Sequence, residues 1–355
     1  MTRAAGAWLA IAAALVGGSA PGAPATTRPA APTVAVFVPT HGPAAAIGEA
    51  IRRGVALAVW DAAARRGGAP LIHLVVVPSD QPWATGLSEL VRLRYEEGLV
   101  AIVAGATATD AHLAAQFVAR ERGDVVLLIP WAADASLTRI PLPWVFRLTP
   151  DDQQQAAVLV KVLAQSKMNG SVAVIGDSSA DARAAAEAFV HAAAGRRLIR
   201  LTLANPNETA QAADVVHRAG CRAAVLCAPP VGDLMSRLRA LRPRPALVAF
   251  LAAVPSAEGS DASCLMTAPP PAVQARFAVE FVRAFGERPV PAAGYGYDAA
   301  QILCNALRRH GATLSTLSQV IRGTVATGVT GTIRFAPGGA RVFPQLETMG
   351  IGSRR

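Results

Sequence analysis

The sequence predicts an α/β protein with parallel sheets, and three observations carry the prediction. Short apolar, β-branched runs alternate with longer runs whose apolar residues recur at helical spacing. The alternation is completed once in the first part of the chain and restarts near Gln153, as two units of similar size would. Of the 355 residues, 52% are apolar and 16% charged, which excludes a disordered or fibrous chain and allows two buried cores.

Residues 1–25 read as a secretory signal peptide. Arg3 opens it, Ala4 to Val16 is apolar but short for a membrane span, and Ala23-Pro24-Ala25 offers a small-residue cleavage site. The first cysteine is Cys221, so a lipid anchor is not expected. Residues 26–32 look like a flexible lead-in. Val34–Val38 is a first strand, apolar throughout as a buried parallel strand would be. Ala45–Arg65 is helical and stops at Gly67-Gly68. Leu71–Val77, Val100–Ala104 and Val125–Ile129 are further strands, separated by helices over Ala84–Glu97 and Asp110–Glu121. This order implies a parallel sheet with helices on both faces.

The second unit reads helix Gln153–Gln165, strand Ser171–Ile175, helix Asp181–Ala194, strand Leu198–Leu203 and helix Ala210–Ala219. Strands Ala223–Cys227, Ala246–Leu251 and Ala262–Thr267 follow. The Pro-rich stretch Ala268–Pro271 interrupts the pattern; Ala272–Phe285 and Tyr297–Arg309 are then helical, and Gly331–Phe335 is strand-like.

The formal net charge is +10, but the basic residues are dispersed, with runs no longer than pairs such as Arg65-Arg66 and Arg196-Arg197. This is a solvated, arginine-biased surface. Together with the export signal it argues against a nucleic-acid partner. Cys221 and Cys227 flank a strand, beyond disulfide reach of one another. The four cysteines, the fourth and third being Cys304 and Cys264, show no metal or redox spacing and read as buried thiols.

Several loops, in order, resemble those of one family. His41-Gly42-Pro43 with Gly48 is similar to a Ser-Gly-Pro…Gly loop, and Gly105-Ala106-Thr107-Ala108-Thr109 to a Gly-Pro-x-Ser-Ser turn. Pro130-Trp131-Ala132-Ala133 stands where a Pro-x-Ala-Thr would. Phe146-Arg147-Leu148 with Asp151 and Gln154 looks like a first interlobe crossover. Gly294–Ala300 resembles a Gly-Tyr-Asp-Ala helix start, and Val329–Phe335 a third crossover. The family is the type I periplasmic binding proteins, the leucine/isoleucine/valine-binding class that serves ABC importers.

The resemblance implies an α/β fold of two doubly wound parallel-sheet lobes joined by three crossovers. Lobe one would be residues 33–147 plus 269–331, and lobe two residues 148–268 plus 332–355. A small molecule would be gripped between the carboxyl ends of the strands, where open α/β sheets place their sites, with hinge closure around it. It also implies a soluble periplasmic protein with a membrane permease as partner, no cofactor and no catalysis.

For the site, Thr107, Ala108 and Thr109 stand just before a helix, where hydroxyls and backbone N–H groups can hold a carboxylate. Capping of that helix by Thr109 uses the same geometry and stays open. The family's grip on a ligand ammonium is incomplete: its hydroxyl position reads Ala133, and Phe250-Leu251-Ala252-Ala253-Val254 carries no acid. The lobe-two loop after Asp177 offers Asp181 where a tyrosine often stands; it could supply the missing acid or simply cap a helix. The next loop, Ala228-Pro229-Pro230, brings Pro230. Trp131 with Ala132, Ile47 and Tyr297 complete the expected lining, Trp131 also being a packing candidate. The expected ligand is a carboxylate with an apolar or aromatic body, not an ordinary α-amino acid, because an unpaired ammonium in an apolar cleft is costly.

Two other classes are set beside this reading. Gly176-Asp177-Ser178-Ser179 with Asp214 and His217 resembles an esterase set, but the serine lies mid-chain and the histidine on an amphipathic helix; a strand-to-helix loop is the simpler reading. Gly294-x-Gly296-x-x-Ala299 follows no strand, the histidines are scattered, and a Walker A sequence is lacking. A degenerate receptor that serves as a partner-binding or sensing subunit remains as an alternative.

Overall fold

The computed structural model describes residues 31–80, 83–165, 170–229, 232–253, 263–266, 271–310, 314–343 and 347–350. The expected signal peptide, part of the lead-in and Pro230 lie outside the described residues.

The first sheet holds β1 (Thr33–Val38), β2 (His73–Pro78), β3 (Leu99–Ala104), β4 (Val126–Ile129) and β5 (Val145–Arg147) in the order β2-β1-β3-β4-β5. All its pairings are parallel. The helices α1 (Ala45–Ala64), α2 (Trp83–Glu96) and α3 (Ala108–Arg120) connect the first four strands. Side chains of a strand alternate between faces, so β1 feeds two cores. Val34, Val36 and Val38 join one core with Ile51 and Val55 of α1. Ala35 and Phe37 join the other with Leu90 of α2 and Val118 of α3. A strand buried on both faces must be apolar at every position, which is why β1 and β3 read as unbroken hydrophobic runs.

The second sheet holds β6 (Val172–Gly176), β7 (Leu198–Thr202), β8 (Ala223–Leu226), β9 (Ala246–Ala249), β10 (Ser263–Met266) and β13 (Glu347–Gly350), in the order β13-β10-β9-β8-β6-β7. Only β13 is antiparallel. Helices α4 (Asp152–Gln165) and α5 (Ala180–Ala192) cover one face; α6 (Thr209–Arg218) and α7 (Leu234–Ala240) cover the other. Cys221, Cys227 and Cys304 are free and buried, and burial pushes the thiols of Cys227 and Cys304 up to about 12.

After β10 the chain returns to the first sheet. α8 (Pro271–Phe285) and α9 (Pro291–His310) both pack on α1, and α10 (Leu314–Arg322) packs on α9. The contact between α1 and α9 is close because glycines line it: a Cβ on Gly54 would overlap the Ala293 carbonyl oxygen, and one on Gly296 would meet the backbone of Ile51. Helix α9 begins at Pro291, six residues before the expected Tyr297; a proline in the first turn surrenders an N–H that has no intrahelical partner.

A hairpin of β11 (Val325–Gly328) and β12 (Gly331–Arg334) precedes the final passage to β13. Its two-residue turn is held by Asp298 of α9, whose carboxylate accepts the N–H groups of Val329 at 2.8 Å and Thr330 at 2.9 Å. Buried Arg341 donates to the Thr330 hydroxyl at 2.7 Å and to its carbonyl at 2.9 Å. Backbone bonds tie this tail to the end of β5: the Arg147 N–H donates to Gly339 and the Arg341 N–H to Arg147, both at 2.9 Å. The chain therefore passes between the sheets three times, after β5, after β10 and after β12. Below, the first sheet with its helices is lobe one and the second is lobe two.

Candidate functional site

The loops at the carboxyl ends of both sheets meet around the start of α3. Gly105 follows β3 with a φ of 100°, in the left-handed region, and a Cβ there would crowd Ile129. Its carbonyl accepts the Ala132 N–H at 2.9 Å, which fixes the loop after β4 beside the loop after β3. Thr107, not Thr109, caps α3. Its hydroxyl accepts the Asp110 N–H at 3.2 Å, and the Asp110 carboxylate accepts the Thr107 N–H at 3.1 Å. Ser79 donates to the same carboxylate at 2.9 Å. The helix starts two residues earlier than expected, because a complete capping box outweighs the side chain of Thr109.

The next backbone donor, the Ala108 N–H, has no acceptor within its own helix. It donates across the lobe boundary to Asp181, at 3.1 and 3.3 Å to the two carboxylate oxygens. Asp181 sits in the first turn of α5, whose own cap is Ser179. The sequence offered Asp181 as a cap or as a ligand partner; its partner here is a helix of the other lobe.

Three more carboxyl groups surround this contact. Asp134 of lobe one pairs with His112 at 2.8 Å, and that hydrogen bond holds the Asp134 carboxyl far below the usual range and raises the His112 imidazole. Asp110 is raised by burial, against its hydrogen bonds. Asp152, the first residue of α4, is 8% exposed, and among the described residues its carboxyl has no hydrogen-bond partner. Burial, then the nearby charges of Asp181, Asp134 and Asp151, push it up to about 8, with Arg147 opposing. Asp181 is raised as well, first by burial, against the Ala108 N–H. Asp134, Asp152 and His112 were not singled out in the sequence. The Asp151…Gln154 pair of the crossover was the available signal: these two cap α4 reciprocally, and Asp152 follows directly.

The other expected lining residues divide. Ala132 is buried and Ala133 half-buried, the Ala133 carbonyl accepting the Asp152 N–H at 3.0 Å; both lie at this junction. Ile47 packs partly buried against the lobe-one core. Trp131 is 5% exposed, its ring edge-on to Tyr295 in that same core, so it takes the packing role. Tyr297 leaves the site. It stands two residues from Tyr295, about 200° around the helix at 3.6 residues per turn, and faces away from Trp131. Its hydroxyl donates to Asp61 at 2.6 Å and accepts from Gln301 at 3.0 Å. There it lines a separate pocket of about 440 Å³ with Leu57, Phe277 and Asn305, between α1, α8, α9 and the hairpin.

The Gly176–Ser179 segment is a strand-to-helix loop: Asp177 accepts the Ser179 N–H at 2.9 Å, and Ser179 caps α5. Among the described residues, no group of three or more His, Cys, Asp or Glu side chains is arranged for a metal ion. Among the same residues, no helix is long and apolar enough to cross a membrane.

Comparison with known proteins places this geometry. The periplasmic binding protein profile matches residues 32–343. A Leu/Ile/Val-binding protein homolog of Brucella melitensis is 28% identical over 157 residues, which are 44% of this chain and 42% of that protein. The crystal structure of the branched-chain amino acid transporter substrate-binding protein LivJ from Streptococcus pneumoniae, in complex with isoleucine, superposes with a TM-score of 0.73 at 20% identity, over 91% of this chain and 97% of that one. A solute-binding protein from R. palustris in complex with benzoate superposes with a TM-score of 0.72 at 18% identity, over 90% and 96%.

Proposed function

Since this chain belongs to the periplasmic binding protein family, we propose that it is the solute receptor of an ABC-type importer, exported to the periplasm and delivering a small ligand to a membrane permease. The ligand carries an anionic end, a carboxylate or its equivalent, and an apolar or aromatic body. One observation supports this most: the N-terminus of α3 holds a carboxylate across the lobe boundary, that of Asp181 on the Ala108 N–H. A helix start with an unshared N–H favours an anion in both geometry and field. Ala132 and Leu251 add buried apolar surface to the junction, beside the carboxyl groups of Asp110, Asp134 and Asp152.

An ordinary α-amino acid fits less well. The segment at Phe250, Leu251 and Ala253 is buried and carries no acid, and Ala133 carries no hydroxyl. The structural neighbours include both a benzoate complex and an isoleucine complex, so a carboxylate end is common to both and the ammonium is not. A second reading, a receptor that has lost its ligand and acts on a partner, draws on the same contact, since Asp181 itself bridges the two lobes.

A thermal-shift screen of residues 26–355 against amino acids, aliphatic and aromatic carboxylates and neutral metabolites tests the proposal. A ligand at a hundred times its Kd stabilises by about 2.7 kcal/mol. The expected hits are carboxylates without an α-amino group. Hits confined to α-amino acids overturn the ligand class, and a library without hits favours the partner-binding reading.

A further inference from the structure

The helix start assigned above to a ligand anion is already engaged by the protein itself. Asp181 reaches from lobe two and takes the Ala108 N–H of lobe one with both carboxylate oxygens in range, at 3.1 and 3.3 Å. The Thr107 N–H is committed to the Asp110 carboxylate, and its hydroxyl accepts the Asp110 N–H, so Ala108 offers the free backbone donor of this turn. A single N–H does not satisfy two carboxylates, and two such charges about 4 Å apart repel by about 1 kcal/mol even at the dielectric constant of water. Ligand anion and Asp181 are therefore alternatives at this position.

We propose that Asp181 is a built-in competitor of the ligand, a carboxylate that closes the lobes on themselves and sets the threshold an anionic solute must exceed. This rests on the solute-receptor reading for its consequence, though the contact itself does not. The surroundings fit a contact made to be broken. His112, one turn along α3 from Ala108, attracts Asp181, while Asp110, Asp134 and Asp177 repel it and Asp152 shares the repulsion. Asp181 is half-buried, so water can replace its partner when the lobes part. A group tethered in this way competes at an effective concentration of about millimolar order. Solutes that bind the open form more weakly than that do not displace it. Asp181 thereby determines specificity without touching the bound solute.

Two variants remove the contact from opposite sides. Asp181→Ala deletes the acceptor. Ala108→Pro deletes only the donor, because a proline is tolerated at the first helical position and Thr107 already has the extended backbone that precedes proline, at φ −130° and ψ 163°. Small-angle X-ray scattering of ligand-free protein is the first readout. Wild type is expected to be the most compact, and both variants to show the same larger radius of gyration, with circular dichroism confirming that both are folded. Equal radii in all three chains overturn the proposal.

The second readout is titration with benzoate and with any carboxylate that stabilises the wild type. Asp181→Ala is expected to bind several-fold more tightly and Ala108→Pro more weakly. Weaker binding by Asp181→Ala overturns the competitor role and makes Asp181 the ligand's partner. If no carboxylate binds any of the three, the solute-receptor reading fails, while scattering still decides whether Asp181 holds the lobes together.

Discussion

The carboxylate of Asp298 accepts both backbone N–H groups of the turn that joins β11 to β12, at 2.8 Å from Val329 and 2.9 Å from Thr330, and the Thr330 hydroxyl as well. Asp298 is 1% exposed, and Arg341 closes the network from the tail that runs on to lobe two. This one side chain anchors the third passage between the sheets to helix α9.

Asp298→Ala strands buried donors and leaves Arg341 without its counter-charge. Breaking such a network by removing one partner costs about 3–5 kcal/mol. Urea unfolding is expected to show that loss, with Asp298→Asn intermediate because it keeps one acceptor oxygen. A loss below about 1 kcal/mol for the alanine variant contradicts the anchoring role.

Asp152 makes stability depend on pH. Its carboxyl is pushed up to about 8 in the folded chain, from an ordinary value of 3.8. The folded state therefore binds a proton that the unfolded state has released across that window. Its contribution is fully present below the ordinary carboxylate range and is lost as the pH rises through about 8. Asp152→Asn mimics the neutral form. The variant is expected to match wild type near pH 4 and to melt at a higher temperature at pH 8; equal melting curves at pH 8 rule the argument out.

Gly54 lies directly against the backbone of α9. A methyl group there overlaps the Ala293 carbonyl, which a rigid helix cannot rotate away. Gly54→Ala is expected to destabilise by about 1–3 kcal/mol, the usual range for overpacking, despite the better helix propensity of alanine. Chemical denaturation of the variant gives the sign directly.

Thr107→Ala removes the cap of α3 and is expected to cost about 1 kcal/mol, whereas Thr107→Ser should be near neutral. The same pair compared in the solute screen separates the two roles of this turn. If Thr107 only caps, affinity changes little at fixed stability; if its hydroxyl also meets the ligand, the alanine variant loses affinity that serine restores.

Most elements were legible from local pattern. Strands buried on both faces, such as β1, β3 and β8, have no choice but to be apolar throughout, and helices such as α1 carry their core stripe openly. The hairpin β11–β12 was read only in its second half. Val325–Gly328 alternates between exposed and half-buried positions, so no apolar run announces it. β13 is a four-residue strand at a sheet edge, too short for an apolar period to show.

The site divides along the same line. Thr107, Ala108 and Asp181 were singled out from sequence because loops at strand ends and helix starts have a local signature. Which of them met which was not, since Ala108 and Asp181 lie in different lobes and only the relative placement of two sheets brings an N–H to a carboxylate. Asp152 went unnoticed because an acid in the first turn of a helix is ordinary; burial, visible only when Ala133 closes over it, makes it unusual. Tyr297 was misplaced because a loop resemblance does not say which way a helix is rotated, and packing on α1 turned it toward Asp61. The sequence alone determined the alternation of strand and helix, hence the two parallel sheets, because periodicity is a local property of side-chain burial. Only the tertiary structure decided the pairing of charges and amides between lobes, because those energies depend on distances that no local pattern encodes.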